Sequence, residues 1–226
     1  MPLLLLILSL CCWGPASKLS ASQLEDVLAS MDKSASSFRD MCARLKRQDH
    51  TAVINDTTEE TGKIQMRKVG KRGAQMRIDF DEPDTRTAVF ADRKAQIYYP
   101  KIRTVQIYDL GKYRELVDQF LLLGFGTSGQ ELQSNYLVRM TGEEKVSDEA
   151  VTRLELKPKA ASAREHLDKV ELWVATGGYP VQQKFYRPSG DYTLITYVDL
   201  KFNPGVSERA VTLKLPSGVK REFPQK

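Results

Sequence analysis

The sequence predicts a mainly β protein with some helix: a single antiparallel sheet of about eleven strands, curved or nearly closed, with helices packed on one face. Three observations predict it. Apolar residues alternate with polar ones through most of the chain after Gly62, Gly and Pro punctuate those segments at short intervals, and helical spacing stands out in only two places. No repeat of the length that builds a propeller or solenoid is evident. With 226 residues, 41% of them hydrophobic, the chain can fill the core of one domain.

The first 16 residues carry no charged side chain, and the apolar run Leu3 to Leu10 is followed by Gly14-Pro15-Ala16. Such a run is too short for a membrane-crossing helix, which needs about 20 residues. It reads as an export signal over residues 1–21, cleaved after Ala16 or Ala21, which leaves 22–226 as a soluble exported domain. Cys11 and Cys12 fall inside that leader, so Cys42 stands alone in the mature chain and no internal disulfide is expected. Lipidation at Cys11 is disfavoured because the preceding Leu10 is not small.

Ser22 is placed to cap a helix in which Leu24, Val27, Leu28 and Met31 share one face. From Phe38 two readings compete: Phe38, Met41, Cys42 and Leu45 suit a helix, whereas Met41, Ala43 and Leu45 suit a strand. A polar loop is expected over Asp49 to Thr61. Period two then governs Ile64 and Met66, and Met76, Ile78 and Phe80, with Pro83 as a stop. Three short segments follow, Thr85 to Asp92, Ala95 to Tyr99 and Arg103 to Tyr108, rich in Val, Ile, Thr and Tyr. Helical spacing returns in Arg114 to Leu123, ahead of a Gly-rich connection, Gly124 to Gly129, read as flexible. Strands are then expected at 136–145, 150–157, 169–176, 180–187, 192–202 and 210–215, with hairpin turns at Gly177-Gly178 and Ser189-Gly190.

Several chemistries are excluded. The net charge of +5 comes from scattered basic residues with no nucleic-acid-binding motif, so no nucleic acid partner is expected. His50 and His166 lack a second His or a Cys at metal-ligand spacing, and no serine sits in a strand-to-helix nucleophile turn. The Gly124 to Gly129 run lacks the Gly-Lys-Ser/Thr ending of a phosphate loop. Glu82 to Asp84 and Glu143-Glu144 abut turns, where carboxylates are ordinarily solvated. Neither an enzyme nor a cofactor is expected. Arg67, Lys68, Lys71 and Arg72 crowd one turn, either as a solvated hairpin tip or as a docking patch for an anionic group.

The apolar alternation itself is what is left. Met66, Met76, Ile78, Phe80, Val89 and Leu172 are expected to share the inner face of the curved sheet and to line a cavity. Methionines suit such a surface because they adapt to irregular hydrocarbon. Each buried methylene is worth about 0.8 kcal/mol, so an acyl chain is held without a polar site. Leu116, Val117, Phe120 and Leu121 form the lid.

In its order of features the sequence resembles the periplasmic outer-membrane lipoprotein carrier family, LolA. The likeness is carried by the leader and amphipathic helix, Gly62, Met76-Arg77-Ile78-Asp79-Phe80 before Pro83, Val89 to Asp92 and Tyr98-Tyr99-Pro100. It continues through the helix at 114–123, Leu154-Glu155-Leu156-Lys157-Pro158, Gly178-Tyr179, Asp191-Tyr192-Thr193 and Leu215-Pro216-Ser217-Gly218-Val219. The resemblance implies an incomplete, half-open antiparallel β-barrel with a helical lid, and a monomeric carrier without catalysis. It would take the acyl chains of lipoproteins from an inner-membrane lipoprotein-releasing ABC transporter and deliver them to an outer-membrane acceptor. It also implies a basic residue that hands cargo onward, here Lys68 or Arg72, in a turn longer than the family's Lys-Arg-Pro. The Asp-Gly turn usual after the fourth strand is replaced by Asp92-Arg93, which marks a divergent member. Carriers or sensors of other lipids share such a sheet, as do RseB-like regulators, which have a further C-terminal domain for which this sequence is expected to have no room.

Overall fold

Period-two alternation is realised in a computed structural model as one large sheet; residues 16–70, 73–111 and 122–224 are described. In chain order the elements are α1 (Ala16–Ser37), β1 (Asp40–Thr51), β2 (Asp56–Val69), β3 (Gly73–Phe80), β4 (Arg86–Ala91), β5 (Lys94–Tyr99), β6 (Thr104–Asp109) and α2 (Gly129–Asn135). There follow β7 (Tyr136–Val146), β8 (Glu149–Pro158), α3 (Ala161–Arg164), β9 (Lys169–Ala175), β10 (Pro180–Tyr186), β11 (Tyr192–Phe202) and β12 (Lys220–Glu222). Twelve strands lie in the order β12-β6-β5-β4-β3-β2-β1-β11-β10-β9-β8-β7, so the sheet is not closed and has β12 and β7 at its edges. The half-open, mainly β architecture expected from the sequence is the one observed.

Most connections are tight hairpins. Asp92 and Arg93 both adopt positive φ, 50° and 65°, as do Ser147 and Asp148, at 48° and 68°. These are the mirror-image turns whose twist matches that of the strands they join. Irregular register at Cys42/Arg44 between β1 and β11, and at Met140/Gly142 between β7 and β8, inserts bulges that bend the strands.

The ambiguous segment after Phe38 is a strand, because β1 pairs along its length with β2 on one side and with β11 on the other. That pairing also replaces the loop expected over Asp49 to Thr61: the hairpin register continues to Thr51↔Asp56, closed by a 3-10 turn at Ala52–Ile54. The helix expected from Ser22 already includes Ala16, so Ser22 is not its cap, and it runs on to Ser37. Leu28 and Met31 are fully buried on the sheet with Leu24 and Val27 beside them, as the spacing predicted. Burying side chains of this size contributes about 1.5–3 kcal/mol each.

Two further expectations are corrected. The strand placed at 210–215 is a 3-10 turn, Glu208–Val211, followed by irregular chain. Its alternation reflects a segment lying across the sheet with Val211 buried, not a strand within it. The strand that does follow, β12, pairs parallel with β6, so the sheet is not wholly antiparallel.

A polar knot launches this segment. Asn203 Oδ1 accepts the backbone N–H groups of Arg39 and Asp40 at 2.8 and 3.2 Å, and Asp40 Oδ1 accepts those of Gly205 and Val206 at 2.8 and 2.9 Å. The chain then crosses the convex side, where Arg77 Nη1 donates to the Thr212 carbonyl at 3.1 Å.

Candidate functional site: the concave face

Cross-strand partners project to the same side of a sheet, so the register assigns the faces directly. One concave row is Met41, Met66, Met76, Phe90 and Ala95; the next is Ala43, Ile64, Ile78, Ala88 and Ile97. A third begins Leu45, Gly62 and Phe80. Met66, Met76, Ile78 and Phe80 therefore come together as predicted. Met66, Met76 and Phe80 are buried, whereas Ile78, Phe90 and Ile97 are only partly so.

Leu172 is on this same concave side, through Leu154↔Leu172, Leu172↔Gln183 and Gln183↔Ile195. It belongs to a second apolar cluster, however, packed against Leu28 and Met31 of α1, with Leu123 and Leu132. Leu172 is core beneath a helix. Val89 departs from the prediction altogether: it pairs with Arg77 and Gln96, one residue out of step with the concave rows, so it faces the convex side. It is buried there because that side is also covered, with Arg77 beside it hydrogen bonded to Thr212 of the crossing segment.

Lys68 follows Met66 by two residues on β2, which puts it on the concave side at the rim where β2 turns toward β3. Its backbone N–H donates to the Arg39 carbonyl at 2.7 Å. Arg72, the alternative, and the lid residues Leu116, Val117, Phe120 and Leu121 lie outside the described residues, as does Cys11.

The segment from Leu122 to Ser128 is firmly seated, contrary to the flexible connection expected at Gly124 to Gly129. Leu122 and Phe125 enter the cluster around Met66, and Phe125 meets the Tyr197 ring edge-on at 5.2 Å. Thr127 Oγ1 donates to the Leu122 carbonyl, and Ser128 caps α2 by accepting the Glu131 N–H. Gln183 Nε2 donates to the Leu123 carbonyl at 2.6 Å and the Tyr197 hydroxyl donates to Gln183 Oε1 at 2.8 Å. All three polar groups satisfy one another below the segment. Burial pushes the Tyr197 phenol above its ordinary value, which keeps it a neutral donor.

The concave face changes character along the strands. Beyond Leu45 and Phe80 it carries Arg47, Asp49, Glu60 and Arg86. Arg86 forks onto Glu60 at 2.6 and 2.7 Å while stacking its guanidinium 3.9 Å from the Phe80 ring centre. Arg47 reaches Asp49 at 2.7 Å, and Asp49 accepts the Thr193 hydroxyl at 2.6 Å. Paired charges thus close one end of an apolar surface. A separate groove of about 370 Å³ runs between α1 and β7–β9, lined by Asp26, Ser30, Glu143, Glu144, Val151 and Val174. Its carboxylates make it a poor place for hydrocarbon.

Three of the remaining candidates, His50, Glu144 and Glu82, have structural partners. His50 stacks on Tyr192 at 4.7 Å and its Nδ1 lies 3.0 Å from Thr57 Oγ1. Glu144 accepts the Trp173 indole N–H, and Glu82 pairs with Lys101. Among the described residues no three His, Cys, Asp or Glu side chains come together as a metal site. No helix among them is long and apolar enough to cross a membrane.

An open, curved sheet with helices on its concave side is a fold shared with solved structures. The chain is similar to MucB at 16% identity and a TM-score of 0.52, over 85% of this chain and 63% of that one. It thus spans less than two thirds of MucB. It is similar, over 89% of its length and 99% of the other's, to an uncharacterized conserved protein from Thermus thermophilus, at 11% identity and a TM-score of 0.53. A LolA superfamily protein from Nitrosomonas europaea is also among its structural neighbours, at 15% identity and a TM-score of 0.38 over 84% of this chain and 97% of that one. No family model and no curated protein sequence matches. The first two likenesses establish the fold.

Proposed function

We infer that this protein binds acyl chains on its concave face and carries them, bound to lipoproteins, through the periplasm. The observation that supports this most is the row Ala43, Ile64, Ile78, Ala88 and Ile97, which crosses five strands without a polar side chain. Ile78 and Ile97 in that row are not fully buried, so hydrocarbon laid along it removes apolar surface from water. Methionines 41, 66 and 76 in the next row are buried in one cluster with Leu122 and Phe125 and form an adaptable border beside it.

On this reading residues 1–21 are a leader, cleaved after Ala16 or Ala21, and the carrier is a monomer without catalytic activity or cofactor. It takes cargo from an inner-membrane lipoprotein-releasing transporter and gives it to an outer-membrane acceptor. Lys68, on the rim of the apolar rows, and Arg72 are the residues assigned to hand-over.

A fluorescent fatty-acid displacement assay tests the binding step. Ile78→Asp and Ile97→Asp are expected to weaken binding at least about tenfold while each variant still melts cooperatively, because those positions are not sealed in core. Leu172→Asp, beneath α1, is expected to abolish the cooperative melt. Wild-type affinity in both folded variants overturns the reading. Mass spectrometry of material co-purifying from the periplasm then separates lipoprotein from phospholipid or glycolipid cargo.

A further inference from the structure

The β1–β2 hairpin carries two aliphatic side chains where a folded protein ordinarily hides them. Val53 is 89% exposed and Ile54 69% exposed, side by side in the turn Ala52–Ile54. The tip is far from the concave rows. Pairing of β2 with β3 stops at Gly62↔Phe80, whereas pairing with β1 continues to Thr51↔Asp56. The six residues from 56 to 61 therefore project beyond β3, about 20 Å of strand.

From these observations we propose that the Val53-Ile54 tip inserts into the interfacial layer of a phospholipid bilayer and docks the protein there reversibly. Three features of the hairpin favour lipid over a protein pocket. First, consecutive residues of a 3-10 turn point about 120° apart, so Val53 and Ile54 cannot enter one cleft together, while a fluid layer accepts both. Second, the turn carries no charge from Thr51 to Asn55, and the backbone N–H groups at its two ends are satisfied. Asn55 N–H donates to the Ala52 carbonyl at 3.2 Å, and Ala52 N–H donates to Asp191 Oδ1 at 2.8 Å. Unsatisfied backbone is costly in apolar lipid.

Third, a collar of the side chains that favour the membrane interface stands directly behind the tip. Tyr192 pairs with His50 in register and stacks on it, Tyr186 lies 5.9 Å from Tyr192, and Lys184 Nζ sits 3.7 Å above the Tyr192 ring. Tyrosines with an apolar body and a polar edge, together with a lysine able to reach headgroups, belong at that depth. The β5–β6 turn points the same way along the sheet and presents Ile102, 68% exposed. Two or three aliphatic side chains give weak, reversible attachment, which suits a protein that must leave the surface again.

Docking is independent of the concave face and is tested without cargo. Protein with the leader, residues 1–21, removed is floated with phosphatidylcholine vesicles at millimolar lipid, with and without phosphatidylglycerol. Wild type is expected to rise with both vesicle types, and the double variant Val53→Asp/Ile54→Asp to lose at least about tenfold in partitioning. Val53→Leu/Ile54→Leu is expected to stay within about twofold of wild type. Ile54→Trp adds a direct readout, a blue shift of its emission on vesicle addition. Wild type that stays in solution overturns the proposal, including the case in which the tip instead occupies a pocket of another protein. Equal flotation of the aspartate variant, or binding confined to anionic vesicles and insensitive to Val53 and Ile54, overturns it as well.

Discussion

The Tyr197 hydroxyl donates to Gln183 Oε1 at 2.8 Å, and the same glutamine passes its Nε2 proton to the Leu123 carbonyl at 2.6 Å. Two strands and the segment covering the concave face are thereby joined through one buried amide.

Gln183→Leu strands both partners, the Tyr197 hydroxyl and the Leu123 carbonyl. A buried polar group left without a partner costs about 1–3 kcal/mol, so the variant is expected to lose about that much in denaturant unfolding. Adding Tyr197→Phe removes one stranded group. The double variant is expected to recover part of the loss, and a double-mutant cycle reads the coupling.

Gly178, between β9 and β10, has a φ of 79° and leaves no room for a Cβ against the Ser30 carbonyl of α1. Gly178→Ala combines an unfavourable left-handed backbone, about 1–2 kcal/mol, with a clash that pushes α1 from the sheet. A fall in melting temperature is expected with increased exposure of Leu28 and Met31, read by dye binding. A variant as stable as wild type would show that α1 moves freely at this contact.

Asp79 lies on the convex side beneath the crossing segment. Burial raises its carboxyl, but hydrogen bonds from Arg77 and Thr87 and the Arg77 charge outweigh that, so its pKa falls below the ordinary aspartate value. A depressed carboxylate stabilises the fold above the unfolded-state pKa near 3.8 and loses that contribution as pH drops through the lower folded-state value. Because the ion pair is partly solvated, the contribution is about 0.5 kcal/mol. Asp79→Asn is expected to be less stable than wild type at pH 7 and to close the gap below pH 3.8, as measured by urea midpoints.

How much of this was legible follows from which side of the sheet each residue faces. Met76, Ile78 and Phe80 alternate with polar neighbours that stay on the convex side, so both strand and face were readable. In Ala88-Val89-Phe90 both faces are covered, one by the concave cluster and the other by the crossing segment, so apolar residues run together and lose their phase. Val89 consequently reads as belonging to the wrong side. Met41 and Leu45 fit two periods, and only partners remote in sequence, Tyr197 among them, decide for the strand. The hairpin from 49 to 61 is polar because it projects away from the core, which makes it look like a loop. Tip residues such as Val53 signalled nothing, since two aliphatics near a turn ordinarily turn inward.

β1 sits in the middle of the sheet, yet one of its two neighbours, β11, is made only after many further strands have followed. Apart from the edge strand β12, each wing can zip up through local hairpins, but the seam between them must wait for the late strand to arrive, at the entropic cost of closing a very long loop. That seam is expected to limit the rate of folding. Until it closes, one flank of β1 is an open edge, where a nascent chain is most exposed to pairing with the wrong partner.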